Sequence, residues 1–222
     1  MSVEYKTIKI IFITFIAVFY FTGCSSSEKL SLQNLDTAKK LVQNYYESGE
    51  FDKECKLIFD DAKSQIEKLT LDKNSAVIFD VDETALSNYN STKEIGFGYV
   101  RELWHNGILK ADEPAIPETK KFYNWLISKN IKVIFLTGRY EEVREATIKN
   151  LIYAGYTKFD TLIVRNSQES KIPAAEFKPA KRNELVEKGY NIIASVGDQW
   201  SDLVGGNSGI KIKLPNYLYL ID

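Results

Sequence analysis

Four short apolar runs in the last two thirds of the chain set its predicted architecture. They cover residues 75–79, 132–136, 161–164 and 192–196, and each is rich in β-branched or aromatic residues and free of Gly and Pro. Runs of this length that are apolar at nearly every position are typical of strands buried on both faces. The pattern therefore predicts an α/β fold with a central parallel sheet.

Residues 31–70 show helical periodicity instead. Apolar residues recur at helical intervals, first at Leu35, Ala38, Leu41, Val42 and Tyr45, and again after Gly49 at Phe51, Cys55, Ile58, Ala62, Ile66 and Leu69. This pattern predicts two helices that pack on the α/β core, with a helical arm for binding a partner as the alternative. A later helix is predicted from Pro179 to Lys188, ending at Gly189 and placing Lys178 just before it.

Polar side chains follow three of the four predicted strands. Residues 80–84 are Asp-Val-Asp-Glu-Thr, residues 137–139 are Thr-Gly-Arg, and residues 197–202 are Gly-Asp-Gln-Trp-Ser-Asp; the strand at 161–164 has no obvious chemical group at its end. Asp198 and Asp202 are four residues apart at a predicted helix start, which would place them on one face. Catalytic groups collect at the carboxyl ends of parallel strands.

These residue types suit phosphoryl transfer. Asp80 and Asp82 repel each other at close range, so a cation is needed beside them, and Mg²⁺ is the candidate that carboxylates favour. An Asp can accept the phosphoryl group as an acyl phosphate while a second acid protonates the leaving oxygen. A hydroxyl, backbone N–H groups and the Lys178 ammonium would balance the phosphate charge.

Four segments together resemble the haloacid dehalogenase (HAD) superfamily, and most of all its acid phosphatase branch. These are residues 79–88, 136–139, 178–182 and 197–203, in the order and spacing of that family, and the similarity covers residues 70–215. The branch includes bacterial class C lipoprotein acid phosphatases and plant vegetative storage proteins. The resemblance implies a Rossmann-like HAD fold with an N-terminal helical addition and a small cap or flap.

The resemblance also implies a role for each matching residue. Asp80 would be the nucleophile and Asp82 the general acid and base. The remaining roles are phosphate binding by Thr137, Gly138 and Lys178, and Mg²⁺ binding by Asp80, the backbone carbonyl of Asp82, and Asp198, with Asp202 close by or acting through water.

The activity implied is that of a Mg²⁺-dependent acid phosphatase, acting on phosphomonoesters such as nucleoside monophosphates through a phospho-aspartate. One alternative is a catalytically weak surface lipoprotein that binds a ligand or partner, but neither Asp80 nor Lys178 is lost. The other is a different HAD reaction, namely a phosphomutase, phosphonate or dehalogenase activity. Dehalogenases of the superfamily typically lack the second acid, here Asp82, and phosphomutases usually need a larger cap than the chain between Thr84 and Thr137 provides.

Residues 85–117 correspond to the place of the family's small cap or flap. They contain several aromatic side chains, namely Tyr89, Phe97, Tyr99, Trp104 and the imidazole of His105. Such rings can stack on a nucleobase or another flat leaving group, or pack the flap onto the neighbouring helices. The sequence leaves both interpretations open.

The N-terminus predicts export and lipid anchoring. Lys6 and Lys9 precede an apolar stretch over residues 10–21, too short to span a membrane and typical of a signal peptide, and residues 21–24 resemble a lipobox ending at Cys24. We therefore predict a signal peptide at 1–23, lipidated Cys24 with a tether at 24–33, and a phosphatase domain at 34–222. An uncleaved membrane anchor is the alternative. The predicted location is extracytoplasmic, on a bacterial membrane, and the outer membrane in a Gram-negative cell.

Composition excludes several classes of function. The formal net charge of the 222-residue chain is −1, with no basic stripe, so binding to nucleic acid has no electrostatic basis. A single histidine, His105, leaves no material for histidine-phosphatase chemistry or a multi-histidine metal site. Cys55 lies in a helical pattern and is predicted to be a buried apolar side chain, without a disulfide if Cys24 is lipidated.

Overall fold

The two N-terminal helices form where the periodicity predicts them. The computed structural model describes residues 33–221, and helices α1 (Leu35–Glu47) and α2 (Glu50–Ile66) begin it. Asn34 caps α1 by accepting a hydrogen bond from the backbone N–H of Asp36 at 2.9 Å. Gly49, at φ +83°, separates the two helices in a conformation that favours glycine. Helix α2 buries its apolar face, including Cys55, whereas α1 has no fully buried side chain.

Five parallel strands form the sheet, in the order β3-β2-β1-β4-β5. They are β1 (Ser75–Phe79), β2 (Lys132–Tyr140), β3 (Thr161–Arg165), β4 (Asn191–Gly197) and β5 (Ile210–Lys213). All five residues of β1 are buried, as expected for the central strand. The predicted α/β fold with a parallel sheet is confirmed; the edge strand β5 was not predicted.

Strand β2 is longer than its apolar run. The sequence predicts an end at Leu136, but the strand continues to Tyr140 with a register shift between Leu136 and Tyr140. The shift arises because the segment Thr-Gly-Arg at 137–139 departs from regular pairing with β3 while the chain stays extended. The residues predicted to bind phosphate therefore lie in an irregular part of the strand itself and not after its end.

Helices cover both faces of the sheet. The remaining helices are α3 (Tyr89–Glu94), α4 (Arg101–Lys110), α5 (Pro117–Ser128), α6 (Arg144–Tyr153), α7 (Ala174–Glu187) and α8 (Trp200–Leu203). Val77 and Phe79 face a core with α2 and α5, in which Phe59 and Phe122 stack at 4.7 Å between ring centroids. Ala76 and Ile78 face the core on the α7 side. This alternation is the period of two that a strand imposes on its side chains.

Helix α7 begins earlier than predicted, which corrects the position of Lys178. The sequence places Lys178 before a helix that starts at Pro179, but α7 starts at Ala174, so Lys178 and Pro179 both lie inside it. Proline in the interior removes one helical hydrogen bond. Burial of Phe177 in the sheet core anchors the preceding turn and holds the helix together. A Cβ on Gly205 would lie 2.5 Å from Pro179 Cγ, so glycine permits this close packing.

A short helical insertion follows β1. Helices α3 and α4 lie between β1 and α5, and a bridge between Leu86 and Ala115 closes the base of the insertion. The insertion lies within residues 85–117, the segment predicted as a cap or flap. Its division from the rest of the fold as a cap stays a prediction. In residues 33–221, none of the helices combines the length and apolar character needed to cross a membrane.

Candidate active site

The ends of the central strands bring the predicted acidic residues together. Asp80 directly follows β1 and Asp198 directly follows β4, and the backbone N–H of Asp80 donates to the carbonyl of Val196 at 3.0 Å. Carboxylate oxygens of Asp80, Asp198 and Asp202 all lie within 4.8 Å of one another, and all three residues are buried. The predicted gathering of these side chains at one edge of the sheet is observed.

Asp198 and Asp202 meet by a different local geometry from the one predicted. Asp198 precedes helix α8 and Asp202 is its third residue, so they do not share a helical face. A capping box connects Asp202 with Gln199, whose backbone N–H donates to Asp202 Oδ2 at 2.9 Å. A Cβ on Gly197 would collide with the Asp202 side chain, so the glycine makes room for the second carboxylate.

Lys178 is the cation at the centre of this cluster. Its Nζ lies 2.6 Å from Asp80 Oδ1 and also binds Asp202 Oδ1. Burial disfavours a charged ammonium, but the carboxylates of Asp202 and Asp80 outweigh it and raise the pKa of Lys178. Burial raises the pKa of Asp80, and Lys178 opposes that rise. Burial and the neighbouring Asp202 raise the pKa of Asp198 to about 6.

Asp82 is held by groups on two other elements. Arg139 donates from Nε to Asp82 Oδ2 at 3.0 Å and from Nη2 to Oδ1 at 2.7 Å, while Asn88 Nδ2 donates to Oδ1 at 2.9 Å. Burial works against the ionised form, but the guanidinium and these hydrogen bonds keep the pKa of Asp82 below its usual value. Arg139 therefore forms a structural ion pair that fixes the orientation of Asp82, and the sequence alone does not identify Asp82 as its partner.

Asp198 has three polar neighbours that sequence patterns missed. Thr84 Oγ1 donates to Asp198 Oδ1 at 3.1 Å, and the side-chain amides of Gln199 and Asn216 each donate to Oδ2 at 2.6 Å. Thr84 and Gln199 belong to the two acidic motifs, so their position in the sequence was sufficient to identify them as candidate site residues. Asn216 lies near the C-terminus with no motif around it, so only the tertiary structure identifies it.

Glu83 is a structural residue in this arrangement. It is buried at φ +50°, and its Oε1 accepts a hydrogen bond from the backbone N–H of Asn88 at 2.7 Å. It is absent from the cluster of carboxylates that can share a metal in the described residues. Burial raises the pKa of Glu83 well above its usual value. The side chain thus shapes the turn after the nucleophile motif.

Thr137 and Gly138 occupy different positions relative to the cavity. Gly138 lines the cavity, whereas Thr137 is fully buried and its Oγ1 accepts a hydrogen bond from the backbone N–H of Arg139 at 3.2 Å. The hydroxyl organises the irregular segment of β2, and the main chain at Gly138 faces the open space. Phosphate binding by these two residues stays a prediction.

One cavity of about 790 Å³ contains the acidic cluster. Asp80, Asp82, Lys178, Asp198 and Asp202 line it, together with aromatic side chains of the insertion and residues near the C-terminus; these are Phe97, Tyr99, Trp104, Leu218, Tyr219, Leu220 and Ile221. Tyr89 instead stacks on Tyr46 at 4.9 Å between ring centroids. Tyr89 therefore packs the insertion onto helix α1, whereas stacking of the cavity-lining rings on a flat leaving group stays a prediction.

Strand β3 supplies a cavity residue that the sequence did not reveal. The apolar run ends at Val164, and Arg165 completes the strand and lines the cavity. A strand end that carries no acidic, hydroxyl or glycine motif nevertheless brings a cation to the site.

Comparisons with known proteins identify the family of this chain. Residues 20–222 match the family described as HAD superfamily, subfamily IIIB (acid phosphatase). The chain is 36% identical to a stem 28 kDa glycoprotein of Glycine max over 186 residues, covering 81% of this chain and 73% of that protein. It is 34% identical to acid phosphatase 1 of Solanum lycopersicum over 186 residues, with the same two coverages.

The fold has a counterpart among solved structures. The class C acid phosphatase of Bacillus anthracis superposes with a TM-score of 0.69 and 22% identity, covering 84% of this chain and 86% of that one. The predicted resemblance to HAD acid phosphatases is thus confirmed by family and by fold. This chain belongs to the acid phosphatases of HAD subfamily IIIB.

Proposed function

We propose that the protein is a Mg²⁺-dependent acid phosphatase that hydrolyses phosphomonoesters through a phospho-aspartate on Asp80. The observation that carries the proposal is the position of the Asp80 carboxylate, which lines the cavity 2.6 Å from Lys178 and within the carboxylate cluster. A nucleophile placed beside a buried cation meets a phosphate dianion with part of the charge already balanced. Family membership establishes the acid phosphatase class, and the residue roles are our proposal.

In the first step, an Asp80 oxygen attacks phosphorus and the bond from phosphorus to the ester oxygen breaks. Asp82 gives its proton to the leaving oxygen, so the alcohol departs neutral. Arg139 and Asn88 hold the Asp82 carboxyl in one orientation for this transfer. A phosphate dianion bound near Arg139 offsets part of the positive charge that stabilises the ionised Asp82 carboxylate. The proton affinity of Asp82 therefore increases when substrate is bound.

In the second step, Asp82 takes a proton from water, and the oxygen of that water attacks the phosphorus of the acyl phosphate. The bond from phosphorus to Asp80 breaks, which frees inorganic phosphate and restores both carboxyl groups. Lys178 and the main chain at Gly138 balance charge on the phosphoryl oxygens in both steps. Thr137 supports this by shaping the segment that presents Gly138.

The residues present fit a divalent cation. Three buried carboxylates share a space of 4.8 Å with one ammonium between them, which leaves negative charge in excess, and oxygen donors are those that Mg²⁺ prefers. Gly197 leaves room for Asp202 in this set. Asp80, Asp198 and the backbone carbonyl of Asp82 would hold Mg²⁺, with Asp202 beside them. When bound, the ion supplies positive charge that screens the anionic nucleophile from the anionic substrate.

A direct test is hydrolysis of p-nitrophenyl phosphate by a protein starting at Ser25, from about pH 4 to pH 8. We expect phosphate release that EDTA removes and Mg²⁺ restores, because the excess of buried carboxylates needs a cation. EDTA should also lower the unfolding temperature, measured by circular dichroism, for the same electrostatic reason. Full activity and unchanged stability in EDTA would contradict the metal proposal while leaving the phosphatase assignment in place.

Nucleoside monophosphates are the candidate substrates that we propose. The cavity combines the acidic cluster with exposed and partly exposed rings of Phe97, Tyr99 and Trp104, and rings of this kind stack on nucleobases. The alternative of a binding protein without catalysis is not favoured, since Asp80 and Lys178 are both present and in contact.

For the N-terminus we propose lipid anchoring at Cys24 after removal of residues 1–23. This segment lies outside the described residues, and the support is its sequence alone: Lys6 and Lys9, the apolar stretch at 10–21 and the lipobox-like residues 21–24. Expressed in a bacterium with labelled palmitate, the full chain should incorporate label and partition into detergent, and Cys24→Ser should do neither. An unlabelled wild-type protein that remains in the membrane would favour an uncleaved anchor instead.

A further inference from the structure

Three arginines are buried in the described part of the chain, and two of them have their guanidinium groups bound by the protein. Arg139 holds the Asp82 carboxylate and also donates to Thr147 Oγ1 at 3.1 Å. Arg182 donates to three main-chain carbonyls around the end of α8, namely those of Asp202, Val204 and Gly206. Both side chains therefore have structural partners for all three nitrogens.

Arg165 is different. It is 6% exposed, and only its Nη1 is bound, by the carbonyls of Glu169 at 3.0 Å and Ile172 at 2.5 Å. Among residues 33–221 no carboxylate forms an ion pair with it, and neither Nε nor Nη2 has a hydrogen-bond partner there. Nε and Nη2 do not belong to the unpartnered side-chain atoms that protein encloses completely, which are those of Glu83, Thr119 and Ser195 in the described residues. The two nitrogens therefore face open space.

The open space that Arg165 faces is the catalytic cavity. Arg165 lines it together with Asp80, Gly138 and Lys178. It pairs with Tyr140 at the carboxyl end of β3, and a Cβ on Gly138 would lie 3.9 Å from Arg165 Nε. The free edge of the guanidinium therefore adjoins the segment proposed to receive the phosphoryl group.

The chemistry of that edge is shown by Arg139 in the same protein. There Nε and Nη2 together grip one carboxylate at 3.0 and 2.7 Å. The same two nitrogens of Arg165 are available and fixed, because Nη1 is tied to two carbonyls and the guanidinium lies 4.4 Å from the centre of the Phe177 ring. A buried cation without a counter-ion is costly, and an anionic ligand bound in a bidentate manner offsets that cost.

We propose that Arg165 forms a second anion subsite in the catalytic cavity and favours phosphomonoesters whose leaving group carries a carboxylate or a second phosphate. This inference rests on the proposed phosphatase function and adds a preference, among nucleotides and other phosphomonoesters, for substrates that carry a second anion. The phosphoryl group to be transferred lies at Asp80, and the second anion binds the Nε–Nη2 edge. The subsite adds no chemical step and contributes only binding and orientation.

The test compares two matched substrate pairs in wild type and Arg165→Gln. Glycerol 3-phosphate and 3-phosphoglycerate differ by a carboxylate, and AMP and adenosine 3′,5′-bisphosphate differ by a phosphate. The measured quantity is the ratio of kcat/KM for the more anionic member to that for the other member. We expect Arg165→Gln to lower this ratio about tenfold in at least one pair, because only the more anionic member carries a second anion for the Nε–Nη2 edge.

The pair that responds identifies whether a carboxylate or a phosphate is preferred. An unchanged ratio in both pairs, or an equal loss for both members, would overturn the subsite, because damage to the fold affects both members alike. Arg144→Gln is the matched control: Arg144 also donates to a carbonyl, that of Leu162 in β3 at 2.7 Å, and does not line the cavity. Its ratios should equal those of wild type.

Two further measurements keep the test decisive. If Arg165→Gln does not fold, Arg165→Lys replaces it, because lysine keeps the charge but lacks the planar fork and should still lower the ratio. If wild type hydrolyses none of the four compounds, calorimetric binding of 3-phosphoglycerate and glycerol 3-phosphate is compared instead. Tighter binding of the former that Arg165→Gln removes would support the subsite although the proposed function fails; equal binding would reject the subsite.

Discussion

Replacing Asp80 by Asn is expected to reduce phosphatase activity at least about a thousandfold, because an amide oxygen is a poor nucleophile and cannot form the acyl phosphate. The fold should persist, since Asn has nearly the same shape as Asp. Steady-state hydrolysis of p-nitrophenyl phosphate measures the first effect. Thermal unfolding measures the second.

Stability gives this substitution a distinctive signature. Asp80 lies among three other carboxylates, and burial together with these neighbours raises its pKa. Removing one negative charge from this crowded cluster should leave the unfolding temperature of the metal-free protein unchanged or raise it. Lys178 keeps Asp202 as a partner in the variant.

The matched control is Asp160→Asn. Asp160 lies immediately before β3, at the opposite edge of the sheet, and pairs with Lys132 at 3.1 Å. It is therefore expected to leave activity unchanged. Turnover by Asp80→Asn at a rate similar to wild type would contradict the phospho-aspartate mechanism, whatever the control shows.

Replacing Lys178 by Met is expected to damage both activity and stability. The methionine side chain fills a similar volume but leaves Asp80 and Asp202 without the ammonium that binds them. Removing one partner of a buried ion pair typically costs about 3–5 kcal/mol of unfolding free energy, and we expect a loss of that order in EDTA. Activity should fall at least about a hundredfold, because the developing phosphoryl charge loses its cation.

Denaturant unfolding with and without Mg²⁺ separates the electrostatic explanation from simple loss of packing. If unbalanced carboxylates cause the instability, Mg²⁺ should restore part of the unfolding free energy lost in Lys178→Met. The gain should be larger than the gain that Mg²⁺ gives wild type. Lys181→Met is the control: Lys181 lies on the same helix and pairs with Glu169 and Glu184 nearer the surface, so a loss of about 1 kcal/mol or less is expected. A Lys178→Met protein as stable as wild type in EDTA would mean that the cluster does not depend on this cation.

Much of the architecture was predictable from local pattern. The runs at 75–79 and 192–196 became β1 and β4, and the periodic segments on either side of Gly49 became α1 and α2. The acidic motifs could be placed at one edge of the sheet because parallel strands end on the same side. These features depend on residues that are near one another in the chain.

Errors arose where tertiary packing overrides a local signal. Pro179 is a typical first residue of a helix, yet α7 begins five residues earlier because Phe177 packs into the sheet core. The end of β2 was placed too early because the apolar run stops at Leu136, whereas pairing of Tyr140 with Arg165 keeps the strand extended. In each case a contact distant in sequence decided the outcome.

The fold class and the strands that carry the chemistry follow from the amino-acid sequence, as do the candidate acidic and basic groups, namely Asp80, Asp82, Lys178, Asp198 and Asp202. The partner of each group follows instead from tertiary packing. Arg139 meets Asp82 across 57 residues, Asp198 binds an amide from the C-terminal segment, and Arg165 enters the cavity from a strand with no chemical motif. Periodicity and motifs are properties of neighbouring residues, whereas the charge balance of a buried site depends on which distant side chains packing brings within about 3 Å.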